Sequence, residues 1–299
     1  MENNRIIIGT RESRLALVQT GMVADFLREK YPERSVELLK MTTTGDRILD
    51  RRLDQIGGKG LFVKELDRAL AAGECDLCVH SMKDLPMELP EELPLLGCSR
   101  REDPRDVLVL PAGRKEPDPS LPIGTSSRRR ILQVQKLYPD AKFESVRGNL
   151  QTRLKKLDEG LYGGLILAAA GLKRMGLENR ISRYFSTEEV IPAAGQGVLA
   201  IQGRADTYDF DLDGFIDPGT MLATLAERAF VRRLNGGCSL PVAAYGEFDG
   251  ESLALRGLYY DEEKRVSRTE ERSAIVRTKE EAEALGRGLA EQLIPGREI

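Results

Sequence analysis

The 299-residue chain has no tryptophan and one histidine, His80, and aromatic residues make up only 5% of it. A single histidine limits the chemistry. A Ser-His-Asp triad, a Cys-His pair or a multi-histidine metal site would each have to be built around His80. Scarce aromatics leave little surface on which unpaired bases could stack. The net charge of −3 draws the chain neither toward nucleic acid nor toward an anionic membrane. The apolar run that follows the amino terminus, Ile6-Ile7-Ile8, is far too short for a signal-peptide core or a membrane span. The four cysteines, at 75, 78, 98 and 238, are sparse and form no disulfide framework, so a cytoplasmic location is expected. Cys75-Asp76-Leu77-Cys78 has the spacing of half a zinc site, but no second Cys/His pair follows at a suitable spacing. These thiols are expected to fill a buried strand as small apolar groups, and no metal is expected.

What is present is a length suited to two or three domains and an excess of arginine over lysine, 32 to 13. Guanidinium groups grip carboxylates and phosphates in a bidentate fork that lysine cannot form. GC-rich codons would give the same bias.

Short apolar runs alternate with amphipathic stretches through the first third. Ile6 to Ile8 predicts a buried strand, and Ser13 caps a helix expected to bury Leu15, Val18, Met22 and Phe26. Val36 to Met41 and Leu77 to His80 read as strands, and Leu61 to Ala71 as a helix. The pattern then recurs. Ile8-Gly9-Thr10 is echoed by Ile123-Gly124-Thr125, and the strand ending at His80 by Leu165-Ile166-Leu167-Ala168. Two similar α/β lobes are expected, with the proline-rich stretch 111–122 as a surface loop of the second. From Pro218 a helix should bury Met221, Leu222, Leu225, Ala229 and Phe230 and stop at Gly236-Gly237. Strands near Val242, Leu255 and Val266 and a helix through Leu285 and Leu289 complete a small α+β domain.

Three strand-to-helix turns carry anion-binding residues. Thr125-Ser126-Ser127 opens a helix that begins with Arg128, Arg129 and Arg130. Arg147-Gly148-Asn149 is followed one helical turn later by Arg153, and Arg11 and Ser13 occupy the matching turn of the first lobe. Free N–H groups, hydroxyls and guanidinium groups at such turns converge on anions. Each alone is more often a solvated helix start than a ligand site. Three at equivalent turns point to a ligand with several carboxylates or phosphates, bound beyond the carboxyl ends of the strands. Lys83-Asp84 and Gly236-Gly237-Cys238 are candidates of another kind, a carboxylate after a strand and a thiol in an open loop. Spacing leaves both undecided between chemistry and ordinary structure. Gly57-Gly58-Lys59-Gly60 lacks full phosphate-loop spacing and reads as a glycine-rich connection.

Taken together, these segments resemble the porphobilinogen deaminase family. The resemblance rests on Gly57-Gly58-Lys59-Gly60-Leu61-Phe62, Val79-His80-Ser81-Met82-Lys83-Asp84 and Arg101-Glu102-Asp103-Pro104-Arg105-Asp106. It continues through Gly124-Thr125-Ser126-Ser127, Arg147-Gly148-Asn149, Ala170-Gly171-Leu172-Lys173-Arg174, Pro192-Ala193-Ala194-Gly195-Gln196-Gly197 and Gly236-Gly237-Cys238. It implies two lobes like those of periplasmic binding proteins, 1–98 plus 195–213 and 102–191, and a third domain, 217–299, carrying the cofactor cysteine. It further implies a transferase of tetrapyrrole biosynthesis that joins four porphobilinogen molecules, with loss of ammonia, on a dipyrromethane primer. The primer would be held as a thioether of Cys238, and Asp84 would be the catalytic carboxylate. Lys83, Asp84, Thr125, Ser127, Arg129 and Arg130 would hold the cofactor. Arg11, Ser13, Arg147, Gly148 and Arg153 would bind incoming or growing pyrroles, with Gln196 near the interlobe hinge and Arg174 acting in elongation. The family implies a monomer without nucleic-acid or membrane partners. Arg128 and Ser239 depart from residues common in the family, so ligand contact is expected from Arg129 and Arg130 instead of Arg128. Two other readings stay open at this level, a non-catalytic protein closing on a carboxylate ligand and an RNA-binding protein using the arginine turns.

Overall fold

The computed structural model describes residues 4–47, 60, 63–205, 208–234 and 241–294. The first sheet receives β1 (Arg5–Arg11), β2 (Ser35–Met41), β3 (Leu77–Ser81) and β4 (Leu95–Cys98), with α1 (Arg14–Lys30), α2 (Thr44–Arg47) and α3 (Lys64–Ala71) in the connections. The chain then crosses to a second sheet of β5 (Asp106–Val109), β6 (Ile123–Gly124), β7 (Phe143–Glu144), β8 (Gly164–Ala168) and β9 (Arg183–Tyr184). Its helices are α4 (Arg128–Leu137), α5 (Leu150–Asp158) and α6 (Ala169–Arg174). A second crossing returns the chain to the first sheet as β10 (Leu199–Gly203).

The two sheets have one plan. Strand order is β2-β1-β3-β10-β4 in the first and β7-β6-β8-β5-β9 in the second. In each, three strands run parallel and the strand delivered by a crossing lies antiparallel beside the third. The echoed Ile-Gly-Thr segments are thus equivalent strand ends, β1 and β6. The crossings meet: the Glu102 N–H donates to the Gly197 carbonyl (3.1 Å) and the Ser99 N–H to the Leu199 carbonyl (3.0 Å). Gly197 has φ +88°, and a Cβ there would lie 2.3 Å from the Glu102 carbonyl oxygen, so glycine is required.

The sequence misjudged how α1 is turned. Its buried residues are Ala16, Gln19, Thr20, Val23, Ala24 and Leu27, while Met22 is 45% exposed. Polar partners set the rotation. The Thr20 hydroxyl donates to Thr10 Oγ1 (2.7 Å) and Gln19 Nε2 to Ser81 Oγ (3.0 Å), so both side chains are satisfied inside. Leu15 then faces the space between the lobes, and Phe26 packs on Phe215.

The third unit is α7 (Pro218–Arg233), the antiparallel meander β11 (Ala243–Phe248), β12 (Ser252–Asp261) and β13 (Val266–Ile275), and α8 (Lys279–Leu293). Asp217 caps α7, with Pro218 in its first turn, and Thr278 and Glu281 form a capping box on α8. Instead of one apolar face, α7 is buried around most of its circumference, from Met221 through Val231 except the half-buried Leu222 and Leu225. It runs between the sheet, α8 and the crossings, which explains the burial of Glu227 and Arg228 along with the apolar positions. At Gly286 the backbone of α8 meets the Ala226 carbonyl of α7 so closely that a Cβ would lie 2.1 Å from it. The helix stop expected at Gly236-Gly237 lies outside the described residues. Cys75, Cys78 and Cys98 are free and buried, as small apolar groups would be.

Candidate active site

The carboxyl ends of β1, β3 and β8 open on a cleft of about 520 Å³ between the two lobes. From the first lobe it takes Arg11, Ser13, Lys83 and Asp84, and from the second Arg130, Arg147, Gly148, Arg153 and Arg174. Local structure delivers each group. Ser13, Ser127 and Asn149 cap α1, α4 and α5 by accepting from backbone N–H groups three residues on, which turns those helix starts inward. Gly148, at φ +107°, makes the tight turn between Arg147 and α5, and its carbonyl accepts from Arg153 Nε (2.9 Å). Asp84 ends the short 3-10 turn after β3 and is exposed to the cleft.

Beneath the cleft lies a carboxylate that the sequence did not single out. Asp106, fully buried at the start of β5, pairs with Arg129 Nη2 (2.7 Å) through Oδ2 and with Arg130 Nη2 (2.7 Å) through Oδ1. Burial disfavours its charge, but Arg129, Arg130 and Lys83 overcome this and hold its pKa at about 2. Gln196, in the second crossing, donates to the same Oδ1 (3.0 Å) and to the Pro104 carbonyl (2.7 Å), while its Oε1 accepts from Lys83 Nζ (3.2 Å). Lys83, Gln196, Asp106, Arg129 and Arg130 therefore form one network across both lobes.

The predicted residues separate into two layers. Thr125, Ser127, Arg129 and Gln196 do not line the cleft. Arg129 is held behind it by Asp106 and the Ile191 carbonyl (2.6 Å), and Thr125 Oγ1 accepts the Ser127 N–H (3.3 Å). Arg130 spans both layers. Arg128 turns outward to pair with Glu262. Arg174 Nη2 donates to the Gly197 carbonyl (2.6 Å), so this arginine touches the second crossing as well as the cleft. Cys238 and its flanking glycines lie outside the described residues.

Sequence reasoning also missed Asp46 and Glu227. Asp46 forms a bidentate pair with Arg11 inside the cleft, and the Arg11 and Thr43 hydrogen bonds lower its pKa against the effect of burial. Glu227 of α7 accepts from Arg101 (2.7 Å), the Gly195 N–H (2.6 Å) and the Gly246 N–H (2.8 Å), joining both crossings to the third unit. Asp46 stands in the short Thr44–Arg47 element, where its neighbours give no hint of the partner it finds in Arg11. Glu227 is a buried carboxylate inside an ordinary helix pattern, which gives no local signal.

Among the described residues, cations outnumber carboxylates along the cleft: Arg11, Lys83, Arg130, Arg147, Arg153 and Arg174 line it with Glu12, Asp46 and Asp84. Lys83 keeps part of its surface toward the cleft, yet burial of the amine, with repulsion from Arg130, lowers its pKa to about 8. Burial and the charges of Arg130 and Arg147 bring Arg153 to about 10, and burial brings Arg174 to about 10. Cations this close together and desolvated are suited to a ligand bearing several carboxylates. Among the described residues no cluster of His, Cys, Asp and Glu could hold a metal ion, and no helix is long and apolar enough to cross a membrane.

Fold and site define a two-lobed α/β protein with a cationic interlobe cleft. Residues 6–211 match the family model "Porphobilinogen deaminase, dipyromethane cofactor binding domain", and residues 221–295 match "Porphobilinogen deaminase, C-terminal domain". The porphobilinogen deaminase of Acetivibrio thermocellus is 49% identical over 295 residues, covering 98% of this chain and 99% of that protein. That of Ruminiclostridium cellulolyticum is 52% identical over 267 residues, covering 89% and 90%. The chain belongs to the porphobilinogen deaminase family. Among solved structures, the periplasmic aliphatic sulphonate binding protein SsuA from Escherichia coli aligns with TM-score 0.40 and 13% identity, over 78% of this chain and 71% of that one. A likeness at that level adds nothing to the assignment.

Proposed function

We propose that this cleft carries out its family's reaction, the stepwise head-to-tail condensation of four porphobilinogen molecules with loss of ammonia to give hydroxymethylbilane. The observation that carries this reading is the convergence of six cations from both lobes on the space faced by Asp84. Porphobilinogen bears acetate and propionate arms, so a chain growing in the cleft adds carboxylates with every unit, and the arginines can grip each one bidentately.

Asp84 is the proposed catalytic residue. Positive charge develops on the pyrrole nitrogen when ammonia leaves and again when the carbon–carbon bond forms, and a fixed carboxylate beside that N–H stabilises it. A dipyrromethane supplies the primer to which the units add. Lys83, Arg129 and Arg130 fit its carboxylates by charge, Arg130 and Lys83 directly and Arg129 by fixing Asp106 beneath them. Thr125 and Ser127 are assigned to the same cofactor wall through the α4 cap. Cys238 is the proposed thioether anchor. Arg11, Ser13, Arg147, Gly148, Arg153 and Arg174 are assigned to the incoming and growing pyrroles, and Gln196 to the hinge.

Sheet membership supports domain boundaries at 1–98 plus 195–213, 102–191 and 217–299. A cytoplasmic monomer completes the proposal. Intact-mass measurement tests it: the purified protein should exceed its sequence mass, Cys238→Ser should remove the excess, and ammonia should be released from porphobilinogen. A bare mass without turnover would leave a non-catalytic carboxylate-binding protein.

A further inference from the structure

Outside the cleft, two sulfur atoms converge in the core of the first lobe. Cys75 Sγ and Cys78 Sγ lie 3.7 Å apart, and the two residues are 1% and 0% exposed. They meet over Gly9, the β1 partner of Cys78 in the β1–β3 ladder. A Cβ on Gly9 would lie 2.6 Å from Cys78 Sγ and 3.0 Å from Cys75 Sγ, so the bare α-carbon makes the room that both sulfurs share. The backbone of this segment is pinned. The Asp76 N–H donates to the Ile7 carbonyl (2.8 Å), the Ile7 N–H to Asp76 Oδ2 (2.8 Å), and Arg204 to the Cys75 carbonyl (2.7 Å). Closing the sulfurs to a bond length of about 2 Å therefore falls to side-chain rotation.

We propose that Cys75 and Cys78 are an oxidation site, forming a reversible intramolecular disulfide when the protein meets a small-molecule disulfide such as oxidised glutathione. Residues 71–74, immediately before Cys75, are exposed and turn through Gly73 at φ +71°, so opening of this turn uncovers Cys75 first. The hydrogen bond with Cys78 lowers the Cys75 pKa, while burial, and then that same bond, raises that of Cys78. Cys75 is thus the attacking thiolate and Cys78 the resolving thiol. In the first step the Cys75 thiolate bonds to one sulfur of the reagent and expels the other half as a thiolate. In the second, Cys78 attacks the Cys75 sulfur, its proton passes to the first leaving thiolate, and the second half of the reagent departs as a thiolate that takes up the proton Cys75 released on ionising. Two protein thiols and one disulfide become one protein disulfide and two small thiols.

Cys98 is an internal control. It is buried in another core cluster, and burial pushes its thiol pKa to about 12. The test treats the full-length, cofactor-loaded protein with oxidised glutathione, then denatures it in an alkylating reagent and maps the tryptic peptide 69–83, which contains Cys75 and Cys78. The expected result is a peptide lighter by two hydrogen atoms and alkylated at neither cysteine, restored to two alkylated sites by dithiothreitol, while Cys98 is alkylated throughout. In Cys75→Ser, Cys78 should remain fully alkylated after the same treatment. Two alkylated cysteines in the oxidised wild-type protein, or a glutathione adduct that persists on either, would overturn the proposal. So would loss of Cys78 alkylation in Cys75→Ser.

Discussion

The amine of Lys83 lies 3.2 Å from Oε1 of Gln196, and this contact ties the strand end bearing Asp84 to the second crossing between the lobes. Gln196 in turn donates to Asp106, so a movement of either lobe is felt by the cations of the cleft. Lys83, next to Asp84, and the second crossing share a network. Lobe shifts during chain growth would therefore reposition ligand contacts as they occur.

Replacing Asp106 by Asn should be severe. Two buried guanidinium groups would face a neutral amide, and breaking a buried ion pair from one side costs about 3–5 kcal/mol. Urea unfolding of Asp106→Asn against wild type measures it. Because the folded pKa is depressed to about 2, the wild-type contribution is present above the ordinary value of 3.8 and lost as pH falls through about 2. The variant should lack that part of the acid-unfolding profile.

Asp84→Asn should lower kcat by about 100-fold or more, the scale seen when a single charge-stabilising group is removed from a transition state. Asp84→Glu keeps the charge but displaces it by a methylene, and should also lose most turnover. Steady-state rates of porphobilinogen consumption decide this. Near-normal turnover in the Asn variant would take Asp84 out of the mechanism.

Lys83 should give a pH signature in the Cys238→Ser protein, the variant proposed to lack the cofactor. Its pKa falls from 10.5 to about 8 on folding, so between these values the unfolded chain holds a proton that the folded one does not. Stability from this group must then rise as pH increases from about 8 to 10.5. Lys83→Met in the same background should flatten that rise, read as urea midpoints across the window.

Two glycines should respond in opposite directions. Gly197→Ala puts a Cβ 2.3 Å from the Glu102 carbonyl at a positive φ, and should destabilise the crossing by about 1–3 kcal/mol. Gly21→Ala lies within α1 with nothing inside 4 Å of the new methyl, and should stabilise by about 0.5–1 kcal/mol. Thermal unfolding of the two single variants tests both.

The repeated strand-glycine-helix segments, the arginine-bearing turns and the Lys83-Asp84 step were legible in the sequence because each is local. A cap, a glycine turn or an apolar run is set by a few neighbouring residues, and so was the two-lobed α/β plan with its third unit. The order of motifs along the chain brought the family with it. The sequence did not reveal that α1 turns its Thr20 and Gln19 side inward, because those positions are justified only by Thr10 and Ser81 on other strands. Asp106, Asp46 and Glu227 were hidden for the same reason. Their meaning depends on partners 24, 35 and 126 residues away, Arg130, Arg11 and Arg101, which only folding brings within hydrogen-bonding distance. Local chemistry, written in consecutive residues, supplied the groups that line the cleft. The tertiary structure alone decided which arginines face the cleft and which stand behind it, since that depends on where a buried carboxylate draws them.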